Sequence, residues 1–157
     1  MKLEDLKGKE IEITEDGLLK VVEKKKGKYV PKVEEKYWYV SSNGEVDWYG
    51  FTNDEIDEYL LNYQPVFRTE DEAVEYKHYL EILDKYKYEF SDEEWLNGDI
   101  LKWFVYYAHY NKLLNVSCNN FSKYPLTAYF KSEEDAEDFI KEVGVENVKK
   151  FMFDVWE

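Results

Sequence analysis

The chain has little of the residue types on which metal sites, disulfides and membrane spans depend. Its 157 residues include one cysteine, Cys118, and two histidines, His78 and His109. A single cysteine excludes a disulfide within the chain, and no cysteine or histidine has a partner at zinc-ligand spacing. No apolar run approaches the roughly 20 residues that a transmembrane helix needs. We therefore expect a soluble cytoplasmic protein without metal, cofactor or membrane attachment.

Catalytic motifs are also missing from the sequence. The seven glycines are scattered as turn and cap residues and form no phosphate-binding loop. No serine lies in a nucleophile elbow. Most carboxylates lie at predicted helix starts, where exposure does not provide the environment that catalytic carboxylates need. The sequence therefore predicts a protein that is not an enzyme.

Positive charge is scarce outside the N-terminal region, and the net charge is −14. Residues 1–36 hold ten lysines against nine acidic residues, whereas residues 37–157 hold 11 basic and 26 acidic residues. Such a surface repels phosphates, because nucleic-acid-binding proteins neutralise phosphates with lysine and arginine. The acidity suits a partner protein with a basic groove, or it serves solubility alone.

Hydrophobic residues are sufficient for a packed core. The chain is 44% hydrophobic and 18% aromatic, whereas disordered chains are poor in aromatic residues. Its length accommodates one domain, or two small subdomains that share a core.

A pair of similar segments organises the chain. YWYV at residues 37–40 precedes FRTEDEA at 67–73, and KWFV at 102–105 precedes FKSEEDA at 130–136. The offset is 65 residues at the tryptophans and 63 at the phenylalanines, which is typical of one supersecondary unit used twice. We predict that the repeated aromatic residues are core residues: Trp38, Trp103, Phe67 and Phe130.

Residues 1–90 predict a hairpin followed by the first repeat. In residues 1–36 two strands flank an Asp16-Gly17 turn and precede a basic loop at 24–28. In residues 37–90, strands 37–42 and 45–51 flank Asn43-Gly44. A helix at 53–61, with Asn53 as N-cap, places Ile56, Tyr59 and Leu60 on one face. A brief strand at 66–68 then leads into a helix that Thr69 and Glu72 cap. That helix runs to about Tyr86 and buries Ala73, Tyr76, Leu80 and Leu83.

The rest of the chain predicts a connector helix at 91–101, capped by Ser91, and a second repeat at 102–157. The second repeat has strands at 102–108, 113–118 and 126–131. A helix that Ser132 caps and Gly144 ends comes next, followed by a short helix at 145–152 and a strand at 153–156. The predicted fold class is α+β, with two tandem ββ(β)α-type repeats whose helices pack on antiparallel sheet and which the N-terminal hairpin precedes.

Two clusters of carboxylates are candidate partner-binding residues. Positions i, i+1, i+4 and i+5 project to one side of a helix, which gives the second repeat an acidic stripe facing away from Ala136, Phe139 and Ile140. Such a row can imitate the charge of a nucleic-acid backbone, or it is simply a solvated face. The carboxylate candidates are Asp54, Glu55, Asp57, Glu58, Glu133, Glu134, Glu137 and Asp138.

The tyrosines of the strands are further candidates. Strand alternation places Tyr37 and Tyr39 on the face opposite Trp38, and Tyr106 and Tyr110 are expected on the non-core sheet face in the second repeat. Exposed tyrosines are effective interface anchors. The alternative is that these tyrosines form a second buried face under the N-terminal hairpin.

Several segments resemble small accessory proteins of phages and prophages of low-GC Gram-positive bacteria. These segments are YWYVSSNGEV at residues 37–46, ND at 53–54 and VFRTEDEA at 66–73. Members of that group carry a YYYI-x-x-x-G-x-V hairpin and then F-K-T-x-E-E-A at a helix start. WFVYY at 103–107 and KKFMFDV at 149–155 also resemble their C-terminal parts, so that the resemblance spans about residues 30–157.

The resemblance implies a protein that acts inside the host bacterial cell. Small acidic phage proteins often inhibit host machinery, and several imitate DNA. The implied function is binding and inhibition of a host nucleic-acid-handling or defence protein, for example a CRISPR effector or a restriction enzyme. The alternative is a structural or adaptor protein, monomeric or homodimeric, that self-associates through a tyrosine-rich sheet face.

Overall fold

The predicted N-terminal strand pair is present. The computed structural model describes residues 9–13, 19–23 and 29–156. Strand β1 (Lys9–Ile13) pairs antiparallel with β2 (Leu19–Glu23), with Ile11 opposite Val21. The predicted Asp16-Gly17 turn and the basic loop at 24–28 lie outside the described residues. The two strands belong to a small unit of the chain, and Tyr29–Val155 forms a larger one.

The first tryptophan strand forms the predicted hairpin around Asn43-Gly44. β3 (Lys36–Val40) pairs antiparallel with β4 (Val46–Gly50). Gly44 has a φ of +81°, which tight hairpin turns require and which glycine adopts at low cost. On the other side of β3, Trp38 and Phe67 exchange backbone hydrogen bonds of 2.8 and 2.9 Å. The predicted strand at 66–68 is therefore reduced to one bridge residue.

The second tryptophan strand is the centre of a three-stranded antiparallel sheet. β5 (Lys102–Ala108) lies between β6 (Leu113–Asn119) and β7 (Tyr129–Phe130). Trp103 is opposite Phe130, as Trp38 is opposite Phe67. The strand predicted at 126–131 shrinks to two residues. The two tryptophan–phenylalanine pairs are alike, and the wider arrangement into two equivalent repeats stays a prediction.

Three helices begin at their predicted caps. The side chains of Thr69, Ser91 and Ser132 accept hydrogen bonds of 3.3, 3.2 and 3.1 Å from the N–H groups three residues later. Acidic residues fill the first turn of each of these helices, where they complement the helix dipole. The helices are α1 (Glu55–Tyr63), α2 (Glu70–Tyr86), α3 (Asp92–Leu96), α4 (Glu133–Val143) and α5 (Val145–Phe153).

The C-terminal segment differs from its prediction. Residues 153–156 do not form a strand, because α5 continues through Phe153 and Asp154 ends it in the left-handed conformation, with φ of 55°. The apolar residues of this segment fit alternation and helical spacing equally well. Packing against the core extends the helix to Phe153, because its side chain lies against the same cluster as the fully buried Val148.

The main core joins α2, α4 and α5 to the three-stranded sheet. Phe130 and Phe139 are 0% exposed, and Tyr79 and Ile82 of α2 are buried with them. The predicted stripe of α2 is partly right, because it includes the buried Ala73 and three residues that are only half-buried: Tyr76, Leu80 and Leu83. A 17-residue helix that contacts several elements buries a broader face than one stripe.

The prediction that Trp38 and Trp103 are core residues is only partly right. Phe67 is buried as predicted, but Trp38 and Trp103 are half-buried. Trp38 lies opposite Trp48 on the ladder, and the Lys36 ammonium lies 4.3 and 4.0 Å from the two ring centroids. These are cation–π distances. The tryptophan face is open at Trp48, which is 52% exposed. Phe67, directly opposite Trp38, shares this face and packs against Tyr76 of α2, so β3 is covered on both of its faces.

We predict that Phe139→Ala lowers the free energy of unfolding by about 3–5 kcal/mol, because it removes a fully buried ring from the main core. Tyr110→Ala is the matched control, since Tyr110 is 90% exposed and its truncation should cost within about 0.5 kcal/mol. Urea unfolding followed by circular dichroism measures both. Equal effects of the two substitutions would contradict this assignment of the core.

Candidate protein-binding surface

A buried carboxylate lies within the first acidic cluster. Asp57 is 1% exposed, and its Oδ1 accepts a 2.8 Å hydrogen bond from the Tyr37 hydroxyl. Its Oδ2 accepts from the backbone N–H groups of Thr52 and Asp54 at 2.8 and 3.1 Å. These donors replace the water that burial removes. Burial, and next the hydrogen bond to Asp57, raise the pKa of Tyr37 far above its usual value.

Two of the candidate residues are therefore not on the surface. The prediction that Tyr37 and Asp57 are available to a partner is wrong, because each is buried and each satisfies the other. The orientation of α1 follows from this pair. The helix turns Asp57 and Leu60 inward, while Ile56 and Tyr59, which we predicted on the same face as Leu60, are 50% and 61% exposed.

The rest of the first cluster has mixed roles. Asp54, rather than Asn53, is the N-cap of α1 and accepts from the N–H groups of Ile56 and Asp57. The Asp57 N–H is the main cause of the lowered pKa of Asp54. Glu55 and Glu58 are exposed. Tyr39 is half-buried and packs against the cluster of Tyr37, Leu60 and Val66.

The outer side of α1 carries an apolar stripe that the sequence pattern did not reveal. Ile56, Tyr59 and Tyr63 are all at least half exposed, and the two tyrosine rings lie 5.0 Å apart. The apolar spacing groups Ile56 and Tyr59 with Leu60, and only the buried Asp57 shows that the helix is rotated so that Leu60 alone of the three is buried. A buried polar residue leaves no signal in a hydrophobicity pattern.

The second acidic cluster lies on the surface as predicted. Glu133, Glu134, Glu137 and Asp138 are exposed, while Ala136 and Phe139 on the opposite side of α4 are 0% exposed. In the part of the chain that the structure describes, none of the four carboxylates has an ion-pair partner. This surface of four residues is named the α4 acidic face.

One further carboxylate of α4 has a structural role. Glu142 accepts hydrogen bonds from the Lys85 ammonium and the Tyr86 hydroxyl, each of 2.7 Å. The bond from Lys85 is the main reason that the pKa of Glu142 is lowered. These contacts fasten the last turn of α4 to the end of α2, so that the α4 acidic face is presented on an anchored helix.

An open groove of about 700 Å³ lies between α4 and β6. Leu114 and Val116 of β6 line it, together with Ile140 of α4 and Val145 at the start of α5. Glu133 and Glu137 line it as well, so that half of the α4 acidic face borders the groove. The sequence does not predict this groove, because the position of a helix across a sheet depends on long-range packing. Tyr106, on the neighbouring β5, is 41% exposed.

A second cavity of about 210 Å³ lies among aromatic side chains near α3, including Tyr88, Phe90 and Trp95. Beside these rings is Lys102, which is 0% exposed. Its ammonium donates to the carbonyl groups of Asn97 and Asn120 at 3.0 and 2.7 Å and lies 5.4 Å from the Trp95 ring centroid. The lysine is thus satisfied by structural contacts.

The described residues offer no cluster of three histidine, cysteine or acidic side chains that would hold a metal ion. Within the same residues, no helix is both long and apolar enough to cross a membrane. No family model, curated protein or solved structure matches the chain. The resemblance to phage accessory proteins therefore stays a prediction, and the proposed function rests on the exposed residues.

Asp57→Asn should lower the free energy of unfolding by about 2–3 kcal/mol, because the buried site loses a charged acceptor of several hydrogen bonds. Glu58→Gln, at the exposed neighbouring position, removes the same charge and should cost within about 0.5 kcal/mol. Thermal and urea unfolding at neutral pH compare the two. A destabilisation by Glu58→Gln as large as that by Asp57→Asn would refute the assignment of a structural role to Asp57 alone.

The Tyr37 hydroxyl also predicts a pH dependence. Since its folded pKa is raised, its contribution to stability is complete below the unfolded pKa of about 10 and is lost as the pH rises above it. Tyr37→Phe should cost about 1–3 kcal/mol at neutral pH and should reduce the loss of stability at alkaline pH. Tyr110→Phe serves as control, and an unchanged alkaline profile of Tyr37→Phe would disprove the link.

Proposed function

We propose that this chain is a non-enzymatic phage or prophage accessory protein that binds and inhibits a host nucleic-acid-handling or defence protein in the host cytoplasm. A CRISPR effector and a restriction enzyme are the example targets. The observation that carries the proposal is the α4 acidic face, whose four exposed carboxylates have no ion-pair partner among residues 29–156.

The spacing of these carboxylates supports mimicry of a nucleic-acid backbone. Glu133 and Glu137 are one helical turn apart, which is a rise of about 6 Å. Two base-pair steps along one DNA strand span roughly 7 Å. A groove whose lysines and arginines are spaced to bind phosphates would therefore meet carboxylates at a similar interval.

The distribution of charge favours a basic protein as the partner over a nucleic acid. The net charge of −14 raises the energy of any approach to phosphates. It accelerates association with a positively charged groove and makes that association sensitive to salt. Exposed aromatic residues beside the carboxylates Glu55 and Glu58, namely Tyr59 and Tyr63 of α1, would supply apolar contact area at a second contact point.

The alternative, self-association through a tyrosine-rich sheet face, has less support. Tyr37 is buried and Tyr39 is half-buried, since this face of β3 packs on the protein's own Leu60 and Val66. Of the four tyrosines predicted for this face, Tyr106 and Tyr110 are exposed. A salt-insensitive homodimer in light scattering would revive the alternative.

The test compares inhibition by two variants of equal net charge. The first variant neutralises most of the α4 acidic face and is Glu134→Gln/Glu137→Gln/Asp138→Asn. The second variant neutralises three exposed carboxylates elsewhere and is Glu89→Gln/Asp92→Asn/Asp99→Asn. The chain and both variants are expressed in Gram-positive cells that carry a CRISPR effector or a restriction system, and the restriction of an incoming plasmid or phage is measured. We expect the wild type and the second variant to inhibit, and the first variant to lose most of its inhibition.

The same variants are then measured for binding to the inhibited protein at low and high salt. Each exposed ion pair contributes about 0.2–1 kcal/mol, so that the α4 variant, which loses three carboxylates, should bind roughly 3- to 150-fold more weakly. Affinity of the wild type should fall steeply as salt increases. Equal inhibition by the two variants, or affinity independent of salt, would exclude charge mimicry by α4.

A further inference from the structure

We propose that the groove between α4 and β6 binds an extended segment of the partner protein. The segment adds as a strand to the outer edge of β6 and places a lysine or arginine side chain against Glu133 and Glu137. This mode of binding rests on the proposed function, because it specifies how the partner engages the α4 acidic face. Three features of the groove support it: an open strand edge, an apolar floor and two carboxylates without partners.

The open edge belongs to β6. Along its whole length, Leu113–Asn119, β6 pairs with β5, and no other described strand pairs with it. In an antiparallel sheet, the N–H and C=O groups of successive residues point alternately to one side of the strand and to the other. About half of the β6 residues therefore direct these groups away from β5. The Leu113 N–H and C=O groups are already bonded to the side chains of Asn111 and Asn115, at 3.2 Å each. The rest of this edge is a template for an added strand. The opposite edge strand, β7, has two residues, which leaves β6 as the longer edge.

The floor of the groove lies beside this edge. Leu114 and Val116 come from β6, and Ile140 and Val145 come from the neighbouring helical segments. The groove volume of about 700 Å³ falls within the roughly 300–1,000 Å³ that binding sites occupy. Every second side chain of an added strand would point toward this floor, and backbone hydrogen bonds to β6 would supply affinity that does not depend on the sequence of the segment.

The carboxylates select the charge of the segment. Glu133 and Glu137 both line the groove, are exposed and have no ion-pair partner in the described part of the chain. Their separation of about 6 Å along the helix lets one lysine or arginine side chain reach both. Lys141, a further turn along, lines the other end. A second copy of this chain fits poorly, because a net charge of −14 on each copy opposes their association.

The first test measures peptide binding to the full chain by fluorescence anisotropy. The probe is a labelled synthetic peptide of alternating valine and threonine with one central lysine, and its control has glutamate in place of the lysine. We expect the lysine peptide to bind in a salt-dependent manner and the glutamate peptide to bind at least about tenfold more weakly. Equal binding of the two peptides would overturn the role of the carboxylates.

Protein variants locate the binding site. Glu133→Gln/Glu137→Gln should weaken binding of the lysine peptide by roughly three- to tenfold. Glu134→Gln/Asp138→Asn removes the same charge from the same helix at positions that do not line the groove, and it should change affinity by less than about twofold. Equal weakening by both double variants would overturn the groove as the site.

The strand mode is tested without altering the protein. Two versions of the lysine peptide carry N-methyl groups on alternate amides. In one version the methylated amides point to one edge of the extended peptide, and in the other version they point to the opposite edge. Strand addition predicts that one version loses binding and the other retains it, and that hydrogen exchange of the β6 amides slows when the unmodified peptide binds. Binding that tolerates both methylation patterns, or no protection of β6, would overturn strand addition.

The two proposals fail in different ways. Salt-sensitive inhibition of a host protein, without binding of the lysine peptide, would overturn the strand mode and leave the proposed function. Peptide binding with protection of β6, without inhibition of any tested defence system, would leave the strand mode and overturn the proposed function. A homodimer in light scattering that the lysine peptide dissociates would replace the partner segment with a second copy.

Discussion

The hydrogen bond between the Tyr37 hydroxyl and the Asp57 carboxylate constrains the first half of the larger unit. A carboxylate that is 1% exposed is stable only while its donors remain in place, so β3 and α1 must each turn one particular face inward. The tyrosine face of β3 packs against α1, and Trp38 and Trp48 lie around Lys36 on its other face. The rotation of α1 leaves Ile56, Tyr59 and Tyr63 exposed to solvent.

The acidic residues therefore differ in what they do, although they contribute equally to the net charge. Asp54 caps a helix, Asp57 is a buried acceptor and Glu142 ties α4 to α2. Glu134 and Asp138 do none of these things among the described residues, and their side chains are exposed. Only carboxylates without such a structural role can form new contacts with a partner protein without lowering the stability of the fold. Net charge alone would overstate the surface available to a partner.

The second half of the unit holds α4 firmly against the sheet. Ala136 and Phe139 fix one side of the helix in the main core, and the Lys85–Glu142 contact fixes its last turn. A charged face on such a helix is preorganised, because little conformational entropy remains to be lost when a partner binds. The same packing creates the groove between α4 and β6, the strand at one edge of the sheet.

The sequence by itself determined the α+β class and the features that depend on a few neighbouring residues. The turn at Gly44, the caps at Thr69, Ser91 and Ser132, and the strand at 102–108 follow from local φ preferences and local hydrogen bonds. Aromatic residues that occupy both faces of a strand carry no such local signal. Either face of β3 could have been buried on hydrophobicity alone.

Tertiary structure decided the rest. Four features depend on contacts between residues that are distant in sequence. They are the face of β3 that packs on α1, the rotation of α1, the helical end of α5 and the reduction of two predicted strands to one or two residues. Asp57 and Tyr37 are 20 residues apart, and no pattern within one element reveals that they meet. The α4 acidic face was predictable because one amphipathic helix contains it. The groove beside it was not, because it exists only where α4 meets β6.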